Sequence, residues 1–281
     1  NIDPIQAMFN DAWFSQALHM ALAAFVATGF AVSGIHALMI LKRKNLVFHR
    51  AAFRISALSA CFAAVLQPIS GDISAKDIAS RQPAKLAAME AHFETQANAP
   101  LLIGGIPDET TETVKYAVKL PGMLSFLAHG DVTKPVTGLK DIPRENWPPV
   151  AITHYAFQVM VAIGMSLVLL AFLYFIALTK RKKWLESNWL LRLFVIATPL
   201  GYIAVEAGWV VTEVGRQPWI IHGVMRTADA VTPMPGIVYS FYLFTAVFIS
   251  LSAIVGFLLY RQIKMVGKLY DVTDPAYQQT D

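Results

Sequence analysis

Two carboxylates stand where an apolar chain should have none. Glu206 and Glu213 fall within or just after the run LLRLFVIATPLGYIAVEAGWVVTEV. Seven residues are about 700° of helical rotation, which leaves the two acids within about 20° of one face. Trp209 lies between them on that face. A charge at mid-bilayer costs at least ~2.5–3.5 kcal/mol. Acids retained there either line a wet cavity or pair with another helix, or they handle protons or electrons. Spacing alone leaves both readings open.

A second group of candidates is nitrogen and sulfur. His19 sits one to two turns inside an apolar run and is surrounded by Ala17, Ala21, Ala23, Ala24, Ala27 and Gly29. Small residues let helices pack closely around a hydrogen-bonded histidine, and they also leave room for a flat macrocycle. His154 and Met160 lie in the outer half of another apolar run. Six residues are about 600°, so the two face different ways and only one could meet His19; the pattern does not choose. His36 and His49 lie at the far end of the first run and beyond it, too distant to share a site with His19. Arg216, His222 and Arg226 follow Glu213. They are cationic groups able to meet carboxylates or propionates, or simply to snorkel.

These residues need elements to hold them, and composition says which kind. The chain has 281 residues, 56% apolar and 15% charged, with mean hydropathy +0.49. Soluble domains carry about 25% charged residues, and disordered chains are poor in apolar ones. One cysteine, Cys61, permits neither an internal disulfide nor a CxxC metal site. The class that remains is an all-α integral membrane protein. Five apolar runs reach spanning length, about 13–41, 52–69, 150–178, 190–212 and 236–260. They form two hairpins plus one further helix.

The charge pattern orients them. Lys42, Arg43, Lys44, Arg50 and Arg54 form one basic patch, Lys180 to Lys183 without a break and Arg192 a second, and Arg261, Lys264 and Lys268 a third. The stretch 71–149 has eight bases against ten acids. That is positive-inside patterning of membrane loops, not a basic face for nucleic acid. The short turns and the C-terminal tail are therefore expected in the cytoplasm. The long loop 71–149, the connection 213–235 and the N-terminus are expected outside. Trp13, Trp147 and Trp219 suit an interfacial belt. The chain starts at Asn1 without an initiator methionine or a signal n-region, so an upstream segment, removed or on another chain, is expected.

The expected organisation is a transmembrane hairpin at 1–70, an outward loop at 71–149, a second hairpin at 150–212, the GRQPW connection at 213–235, and a last helix with its tail at 236–281. Within the loop, QPAKLAAMEAHFETQ reads as helix, with Pro83 suited to the first turn. GGIPDE, KLPG and WPP read as turns.

Specific strings then resemble one family. IAVEAGWVVTEVGRQPW, from Ile203 to Trp219, is similar to the signature of cytochrome bd quinol oxidase subunit I. QPAKLAAMEAHFETQ with LLIGGIPDE resembles that family's quinol-binding loop, in its short form. ALHMALAAFVATGF and YAFQVMVAIGM resemble its two helices that hold low-spin haem b. The likeness runs in order along nearly the whole chain.

The resemblance implies that His19 and Met160 are the axial ligands of low-spin haem b. Glu213 would ligate the high-spin haem b iron, with Glu206 and Arg216 in the same haem neighbourhood and Trp209 as an electron-transfer element. Lys85 and Glu90 would bind quinol, the substrate, and Glu90 would accept a proton. Taken without the resemblance, that pair reads as a solvated helix face. Two departures stand out. The family's subunit I has four more helices upstream, carrying most ligands of haem d and its partner, so this chain would be catalytic only with an N-terminal half or a split partner chain. A second bd subunit and a small single-helix subunit are further expected partners. The family also usually has an arginine two residues before the methionine, where this chain has Gln158. Loss of that positive charge implies a lower haem midpoint.

The function implied is a respiratory quinol oxidase subunit in a prokaryotic cytoplasmic membrane. It would oxidise quinol at the outer face, and oxygen would be reduced to water at the high-spin haems. The alternatives are a quinol dehydrogenase module serving another acceptor, or a haem-free transporter or assembly subunit.

Overall fold

The structure of the protein, a computed structural model, describes residues 3, 5, 8, 9, 12–43 and 46–269. Lys44, the side chain of Lys268 and the tail 270–281 lie outside that description. Among the described residues five helical segments are long and apolar enough to cross a membrane, the fourth running Asn188–Val214, as the composition requires.

The first hairpin is α1 (Trp13–Leu41) and α2 (Leu46–Arg81). Small residues let them close: a Cβ at Gly29 would stand 2.7 Å from the Ala60 Cβ. Lipid gives helices no hydrophobic reason to associate, so such close contact carries the packing. The apolar run of α2 ends near residue 69, yet the helix continues about three turns further to Arg81. Those extra turns are polar and carry the i,i+4 pairs Lys76–Asp72 and Arg81–Asp77. Such pairs add only about 0.2–0.5 kcal/mol each. Ile78 and Ala79 pack onto Leu86 and Leu124 of the outward loop, which gives the extension a tertiary anchor. Hydropathy marks where a helix leaves the apolar layer, not where it ends.

The loop folds against this extension. It contains α3 (Pro83–Met89), β1 (Leu101–Ile103), β2 (Ile106–Asp108), β3 (Thr113–Lys115), β4 (Val118–Leu120) and α4 (Met123–His129). Pro83 opens α3 at its first turn, as its sequence predicts. β1 pairs antiparallel with β4, and β2 with β3, making one long hairpin interrupted at Gly104 and Gly105. Both glycines have positive φ, 67° and 102°, a conformation other residues adopt only under strain.

The second hairpin is α5 (Val150–Thr179), then α6 (Asn188–Ala197) and α7 (Leu200–Val214). The expected single fourth span is broken between α6 and α7, because Pro199 has no N–H to continue the ladder. Gly201 of α7 is pressed on α1, where a Cβ would come 2.6 Å from the Ala27 Cα. The core between the hairpins is aromatic and small: Phe30, Phe53, Tyr174 and Phe194 with Ala37, Ala57, Ala60 and Ala171. A short hairpin of β5 (Trp219–Ile221) and β6 (Met225–Arg226) leads to α8 (Ile237–Leu269). Every described side chain of α8 is exposed.

Candidate haem and quinol site

α1 and α5, which carry His19 and Met160, have little interface with each other; each packs on α2 and on α7. Each candidate ligand lies against a glycine of a neighbouring helix. A Cβ at Gly71 would be 3.7 Å from the His19 Cε1, and one at Gly208 would be 3.0 Å from the Met160 Sδ. His19 Nδ1 is 3.0 Å from the Ser70 Oγ, and the Ser70 hydroxyl donates to the Gln67 carbonyl at 2.9 Å. The serine proton is committed there, so Nδ1–H donates to Ser70 and Nε2 keeps its lone pair. That is how a ligating histidine is held. The Gln67 amide N–H donates to that Nε2 lone pair at 3.2 Å, a bond that an iron would replace, and its buried Oε1 has no partner. One imidazole lone pair, one thioether, bare glycine flanks and an orphaned amide oxygen fit a low-spin haem.

His154 does not compete for that role. Its Nδ1 is 2.8 Å from the Met89 carbonyl and its Nε2 is 3.3 Å from the Gly104 carbonyl. Its place is under the loop, where it is fully buried. Gln158, one turn on, donates from Nε2 to the Leu102 carbonyl at 3.0 Å and accepts at Oε1 from the Gly104 N–H at 3.1 Å. At the start of α5, Glu109 Oε1 accepts from the Val150 N–H at 3.0 Å. Positions 150, 154 and 158 are one turn apart each, so one face of α5 is strapped to the loop. Met160 points elsewhere, toward α7.

The end of α7 meets the loop from the other side. Lys85 is buried, and its Nζ donates to the Thr212 carbonyl at 3.4 Å. Burial chiefly lowers its pKa, to about 8, helped by the Arg216 charge and opposed by Glu213. Gly215 makes the approach possible: a Cβ there would be 3.3 Å from the Lys85 Cγ and 3.1 Å from the Thr153 Cγ2. Glu213 pairs with Arg216 at 2.9 Å. Glu206, Trp209 and Glu213 are all exposed on α7, as their shared face predicts. Among the described residues no three His, Cys, Asp or Glu side chains converge as a metal site.

Lys85 and Glu90 are not a solvated face. Glu90 is 4% exposed, and burial raises its pKa to about 8. Its Oε2 has no hydrogen-bond partner. The polar composition of the loop hides this burial, because the alanines between the two residues, with Leu86, are what face the loop's own core.

Residues 1–266 match the family model for cytochrome bd terminal oxidase subunit I. The chain belongs to that family. A Bacillus subtilis protein provisionally named cytochrome bd menaquinol oxidase subunit I is 37% identical, over 92% of this chain and 59% of its own length. The cytochrome bd ubiquinol oxidase subunit 1 of the same organism is 30% identical, over 93% of this chain and 60% of its own. Among solved structures, the bd oxidase from Geobacillus thermodenitrificans superposes with a TM-score of 0.85 at 40% identity, covering 94% of this chain and 61% of that one. The chain thus spans about three fifths of the length of these relatives. The expected family and membrane helical fold hold.

The structure brings Lys85, Glu213 and Arg216 together, and it seats His19 and Met160 on helices that share their neighbours. Sequence reasoning missed Ser70, Gln67, Gly208 and Gly215, which place the candidates. The glycine in TEVGRQPW was a visible signal, read only as part of a motif.

Proposed function

We propose that the chain is the quinol-oxidising, low-spin-haem-binding portion of a cytochrome bd-type quinol oxidase subunit I. One observation carries this reading: Lys85 of the loop seats its ammonium on the end of α7, beside the Glu213–Arg216 pair. The loop expected to bind quinol and the helix expected to serve haem form one site.

His19 Nε2 and the Met160 thioether would hold low-spin haem b. Glu213 would ligate the high-spin haem b, with Glu206 and Arg216 beside it. The bound haem supplies a one-electron acceptor, and methionine ligation raises its potential relative to bis-histidine ligation. The protein's own part is to bind and deprotonate. Lys85, desolvated and anchored by Thr212, hydrogen-bonds a quinol oxygen. Glu90 takes a hydroxyl proton, and a carboxyl tuned near the working pH is suited to that. Trp209, exposed on the face of the two acids, carries electrons across α7.

The loop would lie outside a prokaryotic cytoplasmic membrane and the basic turns inside. The relatives' remaining length, in this chain's protein or on a partner, would complete the oxygen site with haem d or its equivalent. A second bd subunit would join it, and a small single-helix subunit is a further candidate partner. The test is quinol-driven oxygen uptake by the purified complex, with a pyridine haemochromogen spectrum. Uptake with a haem b band supports the reading. Haem b and quinol oxidation without oxygen uptake would make it a dehydrogenase module. Absence of haem b would end every redox reading.

A further inference from the structure

The turn between α5 and α6 carries a surface that haem and quinol chemistry does not use. In the sequence, 42–54 and 180–192 together hold ten bases against one acid, Glu186. That acid is occupied. The Arg50 guanidinium of α2 pairs with it at 3.1 Å, and Arg54, one turn on, approaches at 4.0 Å. Among the described residues neither Arg181 nor Arg192 has an ion-pair partner. Both are exposed. Two strong cations at the end of the spans are therefore left for a ligand from outside the chain.

The turn that carries them is folded, not loose. Its short 3-10 segment, Lys182–Glu186, buries Leu185 in the core between the hairpins, with Trp184 packed against that core. The Tyr174 hydroxyl, at the same end of α5, donates to the Arg54 carbonyl at 3.2 Å, which ties α5 to α2 there. Trp184 meets Trp189 of α6 edge to face, with ring centroids 5.4 Å apart. The Arg181 guanidinium carbon lies 5.9 Å from the Trp184 ring centroid, within the range at which a cation is drawn to an aromatic face. Arg192 stands three residues after Trp189 on α6, and helix positions three apart are neighbours. The order across the surface is thus arginine, tryptophan, tryptophan, arginine.

An apolar stripe continues from it along α6. Trp189, Leu193 and Ile196 are four and seven residues apart, which puts them on one face. They are 41%, 36% and 62% exposed, inside a span long and apolar enough to cross a membrane. Charge, then rings, then bare aliphatic side chains is the profile of a phospholipid: an anionic head, an interfacial backbone and acyl chains. Positive-inside patterning accounts for bases in a turn. It does not call for a pair of tryptophans between them or for an apolar stripe below. A zwitterionic head would bring its own ammonium to the arginines, so the fit is to a head of net negative charge.

We propose that Arg181 and Arg192, with Trp184 and Trp189 between them, bind the phosphate of an anionic phospholipid whose acyl chains lie along Leu193 and Ile196. Guanidinium groups suit a phosphodiester because they donate two parallel N–H bonds to its oxygens. Basic pockets at the ends of membrane helices take anionic head groups in this way. The tryptophan rings sit at the level of the glycerol backbone, where aromatic side chains collect.

The test is native mass spectrometry of the whole purified complex, equilibrated with equal amounts of phosphatidylglycerol and phosphatidylcholine. The wild type should retain phosphatidylglycerol at least fivefold over phosphatidylcholine. The preference should shrink when salt is raised from about 0.1 M to about 1 M, as the screening length falls from about 10 Å to about 3 Å. Arg181→Gln with Arg192→Gln should bring it near parity. Lys42→Gln with Arg43→Gln removes the same charge from the other turn, which has no tryptophan, and should leave it at the wild-type value. Trp189→Ala keeps both arginines and should at least halve it. The subunit ratio in each spectrum reports assembly, and should the double arginine variant fail to assemble, the wild type and Trp189→Ala decide. Parity in the wild type, a preference that salt leaves untouched, full preference in Trp189→Ala, or an equal response of the two double variants would overturn the proposal. Displacement of phosphatidylglycerol by inorganic phosphate would overturn it too, because the site would then be one for a free anion.

Discussion

Lys85 passes so close to Gly215 that a Cβ at residue 215 would stand 3.3 Å from the lysine Cγ. A helix end and a loop helix, 130 residues apart in sequence, are thereby fixed to within a side-chain methyl of each other.

Gly215→Val should therefore mimic Lys85→Ala. The added bulk displaces the lysine stem and its ammonium from the Thr212 carbonyl. Both variants should lose at least tenfold in quinol turnover, while the low-spin haem spectrum persists. Steady-state quinol oxidation and optical spectra check this. Normal turnover in Gly215→Val would mean that the contact has no part in the reaction.

His19→Ala and Met160→Leu should each abolish the six-coordinate low-spin haem signal. Ser70→Ala should do less: it removes the acceptor of the Nδ1–H bond. Loss of such a supporting partner typically costs 10–100-fold in metal affinity or activity. Haem content per protein, with reduced-minus-oxidised spectra, gives the ranking. A normal spectrum in both His19→Ala and Met160→Leu would remove the assignment.

Glu90 sets a pH dependence whose sign follows from its burial. Its pKa is raised to about 8, so the carboxylate that accepts a proton is present above that pH and lost below it. Quinol-driven haem reduction should rise through about pH 8 in the wild type. Glu90→Gln should be slow and flat over that range. For stability the sign is opposite. A raised carboxyl pKa means that the folded state holds a proton the unfolded chain gives up above its own, ordinary pKa. The stability contribution of the neutral carboxyl is full below the ordinary carboxylate range and is lost as pH rises through about 8. Thermal unfolding of the outward loop, followed by proteolysis across pH, should show Glu90→Gln less sensitive than the wild type.

Gln158→Arg should raise the low-spin haem midpoint by on the order of tens of millivolts, since a nearby positive charge disfavours the oxidised state. It also removes both of the amide's bonds to the loop backbone. The substitution should therefore loosen the hairpin as it raises the potential. Redox titration reads the first effect and protease cleavage near Gly104 the second.

The membrane class and five spans were legible because hydropathy is a property of stretches, and length bounds do the rest. The shared face of Glu206, Trp209 and Glu213 was legible because one helix keeps its register. The break at Pro199 was visible in principle. The extension of α2 was not, since its turns are polar and are held by Leu86 and Leu124 from elsewhere in the chain. The burial of Lys85 and Glu90 was equally hidden. Local composition describes a helix face, and only the partner decides whether water reaches it. The turn of His154 to the carbonyls of Met89 and Gly104 was hidden as well, because no pattern within α5 contains them.

Three successive turns of α5 are fastened to the same loop, through the Val150 N–H, the His154 ring and the Gln158 amide. A cover riveted at three heights cannot swing open like a flap. On the proposed reading, a quinol bound beneath it would enter sideways from the lipid, under a roof that stays down.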